Sequence, residues 1–243
     1  MNMCIIIAKT LGVKTIVTEH THFLYHDVAG VHLNKILKWS MSDVDASICV
    51  SQACKENFTL RIKMNPNICF TIPNAVDTNK FQPNPSLRFP INRINIVCVS
   101  RLTTRKGIDL LIDIIPKIIE KYKTAYFIIG GDGEKTDIIK KLIKIHSLED
   151  SVELLGAIPH KDVCNVMNRG HIFLNTSLTE TFCLSMLEAA SCGLLVVSTN
   201  VGGIPEVLPP GMAYLAQPNA ISLTKELLKA IRDYDNVQSS EIH

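Results

Sequence analysis

Several features that would point to other classes of protein are missing from this sequence. No apolar run approaches the roughly 20 residues that a helix needs to cross a bilayer. Residues 1–8 are too short for a secretory signal and have no basic flank. The eight cysteines form no Cys-x-x-Cys pair, which favours a reducing compartment and buried structural thiols. A net charge of +2 provides no broad basic field for nucleic acid.

The composition is that of a folded globular protein. Apolar residues make up 47% and charged residues 20% of the 243 positions, which is enough apolar surface for one large domain or two modest ones. Short β-rich runs alternate with longer runs of helical period, so we predict parallel strands joined by crossover helices. The predicted strands are 15–18, 47–51, 68–72, 94–100, 125–130, 152–155, 171–175 and 194–199. The predicted helices are 1–11, 30–42, 52–64, 106–122, 134–147, 160–168, 183–192 and 221–233.

A proline-rich stretch divides the predicted elements into two groups. Residues 82–92 carry three prolines and little periodicity, so we predict a linker there. The segment 93–243 has the strands of a complete Rossmann-like domain. Residues 1–81 hold only three strands, whereas a doubly wound sheet normally has about five or six. We therefore predict an α/β protein with two Rossmann-like lobes, of which the N-terminal lobe is incomplete.

Two glutamates, Glu180 and Glu188, lie between the strand-like runs 171–175 and 194–199. The first is predicted at a strand-to-helix turn and the second inside the helix. A ligand at this turn would meet backbone N–H groups of the helix start, which favour anions, while the carboxylates accept hydrogen bonds from hydroxyl groups. The ordinary alternative is a pair of acidic residues on a solvated helix.

The surrounding motifs decide between these alternatives. Together with 175–193 they resemble the retaining glycosyltransferases of family four, which have the GT-B fold. The three other motifs are Ser-Arg-Leu-Thr-Thr-Arg-Lys-Gly at 100–107, Phe-Ile-Ile-Gly-Gly-Asp-Gly at 127–133 and Ser-Thr-Asn-Val-Gly-Gly-Ile-Pro-Glu-Val at 198–207. The likeness runs from about residue 8 to about residue 231. It is strongest to the branch that transfers N-acetylglucosamine to phosphatidylinositol, through the runs 17–20, 48–51, 72–77, 171–180 and 202–209.

This resemblance implies a specific activity and setting. GlcNAc would move from UDP-GlcNAc to phosphatidylinositol with retention, as the first step of GPI-anchor synthesis, without a cofactor or a metal. The expected location is the cytoplasmic face of the endoplasmic reticulum membrane, through partner subunits of a complex. Relatives begin with a further strand and Gly-rich loop and carry a C-terminal anchor, so we expect the sequence to be a piece or a short form of a longer protein.

Two alternatives remain open at this stage. The first is a related family-four transferase that uses another nucleotide-sugar or another lipid acceptor. The second is a non-catalytic subunit that binds UDP, because the lobe that helps to seat the acceptor is expected to be incomplete.

The resemblance assigns catalytic roles to four residues. Arg101 and Lys106 would stabilise the charge that develops on the departing diphosphate, Arg through a forked contact and Lys as a point charge. Glu180 would lie near the donor sugar, and His20 would face that sugar from the N-terminal half. For Lys106 the alternative is a solvated residue that opens the helix 106–122. Arg105 is interpreted as a surface residue, although it and Lys106 are interchangeable on spacing alone.

Further residues are assigned to binding of the donor. Glu188 would hold the ribose hydroxyls. The loop with Gly131, Asp132 and Gly133 would approach the nucleotide; Thr136 stands where a dinucleotide fingerprint has its third glycine, which argues against NAD. The backbone of the turn before Glu188 would bind the diphosphate at a helix start, with the side chains of Phe182 and Leu184 expected to be packing residues. The residues of this turn are Thr181, Phe182, Cys183 and Leu184.

One metal site is conceivable and disfavoured. His20 and His22 project to one side of an extended segment, with His26 and Asp27 nearby, which are zinc ligand types. Nothing else near them completes a closed site, so we predict no metal.

Overall fold

The structure is a computed structural model that describes residues 2–21, 35, 38–41, 44–88 and 93–241. It contains two compact units. The first consists of Met1–Asn74 together with Glu180–Phe182, and the second consists of Ala75–Thr179 and Cys183–His243. No helix in the described residues is both long enough and apolar enough to cross a membrane.

The first unit contains a three-stranded parallel sheet in the order β1-β2-β3. Alternate residues of β1 are buried, as expected for a strand with one covered face. Ser51 begins the second helix, because its Oγ accepts a hydrogen bond from Cys54 N at 3.0 Å. The helix predicted over 30–42 lies largely outside the described residues. The elements are α1 (Asn2–Thr10), β1 (Ile16–Glu19), β2 (Ala46–Cys49), α2 (Gln52–Ile62) and β3 (Cys69–Thr71).

The second unit is built on a six-stranded parallel sheet in the order β6-β5-β4-β7-β8-β9. β4 and β5 are buried along most of their length, as expected for strands covered on both faces. The strands are β4 (Ile94–Val99), β5 (Ala125–Gly130), β6 (Val152–Gly156), β7 (Ile172–Asn175), β8 (Leu195–Thr199) and β9 (Ala213–Ala216). The helices are α3 (Ile108–Lys121), α4 (Thr136–Ile145), α5 (Val163–Asn168), α6 (Leu184–Ser191) and α7 (Ala220–Glu241).

Two features differ from the prediction. β9 was not predicted: its run Ala-Tyr-Leu-Ala has few of the β-branched residues that marked the other strands, and pairing with β8 makes this segment a strand. Lys106 does not open the helix predicted over 106–122. It ends a 3-10 turn, Thr104–Lys106, and α3 begins only after Gly107, whose left-handed φ of 66° interrupts the helical path.

The predicted linker, 82–92, is part of the second unit as far as it is described. Asn168 in α5 anchors it: its Oδ1 accepts from Asn84 N at 2.7 Å and its Nδ2 donates to Gln82 O at 3.0 Å. The division between the two compact units falls earlier, between Asn74 and Ala75. Residues 75–81, which were predicted to belong to the N-terminal lobe, thus belong to the second compact unit.

The order of the strands creates a switch point in the second unit. The chain proceeds from β4 to β5 and β6 on one side and then returns to place β7 on the other side of β4. In open parallel sheets, ligands bind in the crevice at the carboxyl ends of the strands that flank such a point. The segments of this unit that follow β4 and β7, residues 100–107 and 176–179, are therefore the expected walls of a binding site.

Direct contacts join these two segments. Thr176 Oγ1 donates to Lys106 O at 2.8 Å, and Leu178 N donates to Arg105 O at 2.9 Å. A Cβ atom on Gly107 would lie 1.8 Å from Thr176 O, so only glycine permits this approach. The backbone on both sides of the switch point is thus fixed without using the side chains of Arg105 or Lys106.

His171 is a buried polar side chain whose ring is held by contacts within the second unit. Its Nδ1 accepts a hydrogen bond from Asn95 N at 3.0 Å, and its ring packs on Tyr234 with centroids 4.8 Å apart. Burial, with a smaller effect of the Arg88 charge, lowers the pKa of His171 to about 4. The imidazole is therefore a neutral structural group at neutral pH.

Replacing Gly107 by alanine should destabilise the second unit by about 2–4 kcal/mol, because the new methyl group meets a backbone carbonyl and the left-handed φ adds strain. Gly156→Ala is the matched control. Gly156 has a similar φ of +70° but nothing within 4 Å of an added Cβ, so it should cost only about 1 kcal/mol. Denaturant unfolding measures both, and equal losses would contradict the close-approach argument.

His171 should make stability depend on pH. Its folded pKa lies below the ordinary value of 6.5, so the unfolded chain binds the proton first as pH falls. Between pH 7 and pH 5 this residue should remove about 2 kcal/mol from the free energy of unfolding. His171→Asn keeps an acceptor near the position of Nδ1 but does not titrate, so its free energy of unfolding should fall less between pH 7 and pH 5. His146→Asn, at an exposed position, should show the same pH dependence as wild type. Parallel curves for wild type and His171→Asn would refute this assignment.

Candidate functional site

A cavity of about 320 Å³ opens at the carboxyl ends of three neighbouring strands of the second unit. It lies where β4, β5 and β6 end, which is the edge where parallel α/β sheets bind ligands. Gly131 shapes it: with a φ of 134°, a Cβ there would lie 1.8 Å from Ser100 O. The lining residues are Val99, Ser100, Arg101, Gly130, Gly131, Asp132, Ala157 and Ile158.

The loop that follows β5 is held by its own polar side chains. Asp132 Oδ1 accepts from Gly133 N and from Thr136 Oγ1, each at 2.8 Å, and these bonds lower the pKa of Asp132. Glu134 Oε1 accepts from Thr104 N and Thr104 Oγ1, both at 3.1 Å, which ties this loop to the one that follows β4. Asp132 is therefore a charged residue whose hydrogen bonds set the loop, and Thr136 completes the turn.

The two predicted cations follow β4. Arg101 is exposed and forms part of the cavity wall, and no hydrogen bond or ion pair of its side chain is found among the described residues. The next residue, Leu102, is buried, and its N–H donates to Asp132 O at 2.9 Å, which anchors the loop. Lys106 is half-buried at the end of the turn, and Arg105 beside it is exposed.

Glu188 lies in α6, the helix that follows the segment after β7. Its relative exposure is 8%, yet its carboxylate makes no hydrogen bond or ion pair within the described part of the chain. Burial raises the pKa of Glu188, and the nearby positive charge of the hydrogen-bonded His160–Lys80 pair partly opposes that rise. The carboxylate oxygens are not among the fully buried polar atoms that lack a partner, so they still reach water, and a ligand that supplies donors can replace that water.

The first turn of α6 offers backbone donors to a ligand. Cys183 precedes the helix with a φ of −85° and a ψ of 89°, and no side chain caps the helix at this position. The N–H groups of Leu184 and Ser185 therefore point out of the helix start, which favours an anion, whereas the N–H of Met186 donates to Cys183 O at 3.2 Å. Cys183 is buried. Leu184 was predicted to be a packing residue, and that prediction is wrong, because its side chain is exposed at the first position of the helix.

Lys80 and His160 were not identified from the sequence. Lys80 Nζ lies 2.7 Å from His160 Nδ1, and the His160 ring contacts Phe81 edge-on, with centroids 6.3 Å apart. Both are near enough to Glu188 to influence its pKa. No local pattern signals this cluster, because its members come from three distant segments of the chain.

The remaining predicted residues belong to the first unit. His20 follows β1 and is exposed, and its carbonyl oxygen accepts a hydrogen bond from Thr181 Oγ1 at 2.8 Å. Thr181 and Phe182 are buried, and Glu180 is half-buried. The buried Glu19, next to His20, was not identified from the sequence. Its Oε1 accepts from Thr21 N at 2.7 Å, and burial raises its pKa.

Some of the predicted site residues thus lie together in the structure, and others lie apart from them or outside the described residues. Arg101, Gly131 and Asp132 share one cavity wall, and Gly133 continues the same loop. His20 and Thr181 are hydrogen-bonded in the other unit. The roles given to all of these residues remain predictions. His22, His26 and Asp27 of the disfavoured zinc site lie outside the described residues, within which no group of three metal-ligating side chains occurs.

Comparison with known proteins gives two domain matches and close relatives. Residues 2–80 match the model for Glycosyltransferase Family 4, and residues 81–240 match the model for Glycosyl transferases group 1. The chain is 48% identical over 236 residues to a phosphatidylinositol N-acetylglucosaminyltransferase subunit of Arabidopsis thaliana, covering 97% of this chain and 53% of that protein. It is 53% identical over 224 residues to the human protein of the same name, covering 92% of this chain and 46% of that protein. The chain spans about half the length of these relatives.

A solved structure supports the fold. The crystal structure of Anabaena HepE in complex with UDP and glucose superposes with a TM-score of 0.81 at 21% identity, covering 97% of this chain and 67% of that chain. The predicted fold class, α/β of the GT-B type, is confirmed. Because one family model accounts for more than half of the sequence, this chain belongs to the glycosyl transferases group 1 family.

Proposed function

We propose that this chain carries the donor-binding and catalytic part of a GPI-GlcNAc transferase. GlcNAc is moved from UDP-GlcNAc to phosphatidylinositol, which is the first step of GPI-anchor synthesis. The observation that carries the proposal is the identity of 48% and 53%, across nearly the whole chain, to relatives named for this reaction. Both of the chain's compact units fall within those matches.

The donor site suits a nucleoside diphosphate. The cavity at the ends of β4, β5 and β6 gives room for a base beside Arg101, and the HepE complex, which shares this fold, contains UDP. Arg101 and Lys106 supply positive charge, and the N–H groups at the start of α6 supply hydrogen-bond donors. Glu188 supplies a carboxylate that can accept bonds from ribose hydroxyls.

The chemistry follows from charge on the leaving group. As the bond between the sugar and the diphosphate breaks, negative charge grows on UDP, and fixed cations stabilise it without reorganising. In the proposed retaining mechanism the departing diphosphate oxygen takes the proton of the acceptor hydroxyl on the same face of the sugar. Glu180 and His20 hold the sugar, so catalysis consists of positioning and electrostatic stabilisation and needs no cofactor.

The proposed setting is a complex at a membrane. The relatives are named as subunits, which supports assembly with other subunits of a GPI-GlcNAc transferase. We place that complex at the endoplasmic reticulum, on the cytoplasmic face, where partner subunits would hold this chain near its lipid substrate.

Removing either predicted cation should reduce transfer much more than it reduces stability. Arg101→Ala and Lys106→Ala should each lower kcat by about 100-fold or more, because a fixed positive group at the leaving oxygen is lost. Transfer of labelled GlcNAc from UDP-GlcNAc to phosphatidylinositol in microsomes that supply the other subunits measures this. Arg105→Ala is the matched control, since it removes a neighbouring exposed cation whose backbone contact is kept.

The outcomes separate the proposal from its alternatives. Unchanged transfer in both cation variants would contradict the assigned roles. UDP binding without any transfer by the wild-type chain would favour a non-catalytic subunit. Transfer from a UDP-sugar other than UDP-GlcNAc, or to another lipid, would favour a related transferase of the same fold.

Glu188→Gln should weaken the binding of UDP and raise the free energy of unfolding of the protein without ligand. Because the folded pKa of Glu188 is raised, the unfolded chain releases this proton first, and stability is lost as pH rises through the folded pKa. At pH 7.5 the variant should gain about 1 kcal/mol in free energy of unfolding. Its affinity for UDP should fall by about tenfold or more.

Thermal or denaturant unfolding and calorimetric titration with UDP measure the two effects. Glu120→Gln, at an exposed position of α3, should change neither. A Glu188→Gln variant that is less stable than wild type would show that the carboxylate has a structural role.

A further inference from the structure

An exposed lysine–histidine pair lies in the neighbourhood of Glu188, the carboxylate of the proposed donor site. We propose that His160 recognises the ribose hydroxyls of the donor nucleotide together with Glu188, and that Lys80 is a positioning residue that fixes the imidazole. This rests on the proposed function, because it assumes that Glu188 faces a ribose. It adds a specificity-determining residue to that site.

The bond between Lys80 and His160 determines which ring nitrogen carries the proton. A lysine ammonium has three donors and no acceptor, so at 2.7 Å His160 Nδ1 must be the acceptor. An imidazole that accepts at Nδ1 is neutral and carries its hydrogen on Nε2. Lys80 thereby turns His160 into a hydrogen-bond donor through Nε2.

A carboxylate and an imidazole N–H together match a hydroxyl group. A ribose hydroxyl has one hydrogen to donate and lone pairs with which to accept. Glu188 can only accept and His160 Nε2–H can only donate, so the pair satisfies both capacities of a hydroxyl. Glu188 is 8% exposed and its carboxylate makes no hydrogen bond or ion pair within the described residues, so a ligand can supply donors to it.

The position of His160 in the fold agrees with this role. It belongs to the segment between β6 and α5, which also contributes Ala157 and Ile158 to the wall of the cavity. The same segment therefore borders the room for a base and lies near the carboxylate assigned to the ribose. A nucleoside that fills the cavity would present its sugar to residues that follow directly in this segment.

The hydrogen bond between Lys80 and His160 is not explained by a contribution to folding stability. Lys80 and His160 are both exposed, and polar pairs at exposed positions contribute little to folding. The ring is nevertheless held on two sides, by Lys80 at Nδ1 and by the edge-on contact with the buried Phe81. Such preorganisation at an exposed position favours binding, because less conformational freedom is lost when a ligand arrives.

The test compares UDP with 2′-deoxy-UDP and 3′-deoxy-UDP by calorimetric titration of the full chain. His160→Ala should weaken UDP binding by about tenfold and weaken the deoxy analogue that lacks the contacted hydroxyl much less. The preference for UDP over that analogue should therefore shrink. His160→Gln should retain most of the preference, since its amide can accept from Lys80 and donate to the hydroxyl.

Lys80→Met should weaken UDP binding by about threefold, which is less than the effect of His160→Ala. The imidazole ring remains in this variant, but its tautomer is no longer fixed. His146→Ala and Lys161→Met are the matched controls, because they remove an exposed histidine and an exposed lysine outside the pair. Both should leave affinities and preferences unchanged. Thermal unfolding should show all five variants folded like wild type.

Two results would overturn the inference. UDP affinity that is unchanged in His160→Ala would show that the imidazole does not touch the nucleotide. Equal losses for UDP and both deoxy analogues would show that the pair contacts the phosphates and not the ribose. A wild-type chain that binds none of the three nucleotides would instead remove the proposed donor site itself, and the ribose contact with it.

Discussion

The approach of Gly107 to the carbonyl of Thr176 is the contact on which the candidate site depends. At the switch point the backbone after β4 must lie directly against the backbone after β7, and any side chain at position 107 would hold them apart. Once these segments are joined, the 3-10 turn Thr104–Lys106, which carries Lys106, is fixed at one edge of the sheet. The chain then continues toward α6 and Glu188. Backbone contacts make the junction, so the side chains of Arg101 and Lys106 are not needed to build it.

Two buried ionisable groups show how the same physical force has different consequences. Burial disfavours the charged form of both His171 and Glu188. His171 is neutral and accepts the N–H of Asn95, so its polar atom is satisfied inside the fold. The Glu188 carboxylate keeps lone pairs that the described residues do not satisfy, and its raised pKa means that the charged form is disfavoured in the folded protein. Stability of this kind is given up where a ligand is expected to complete the hydrogen bonds.

The sequence predicted the central strands and the edge of the sheet where the site lies. The apolar runs that became β4 and β5 are long enough to show their burial, and the residues after them are placed at the carboxyl edge by topology. β9 was not predicted, since its run Ala-Tyr-Leu-Ala has few β-branched residues and its pairing with β8 defines it as a strand. Lys106 was predicted to open a helix, but the left-handed Gly107 delays that helix by two positions.

Local pattern and motif therefore determined the α/β class, the alternation of strands and helices, and the candidate cations and carboxylates of the donor site. Only the tertiary structure decided that Lys80 and His160 are hydrogen-bonded and lie near enough to Glu188 to influence its pKa. Hydropathy and spacing act over a few residues, whereas these three residues come from the segment before β4, the loop after β6 and the helix after β7. Contacts between such distant segments are set by the order in which parallel strands assemble, and no local run of residues encodes that order.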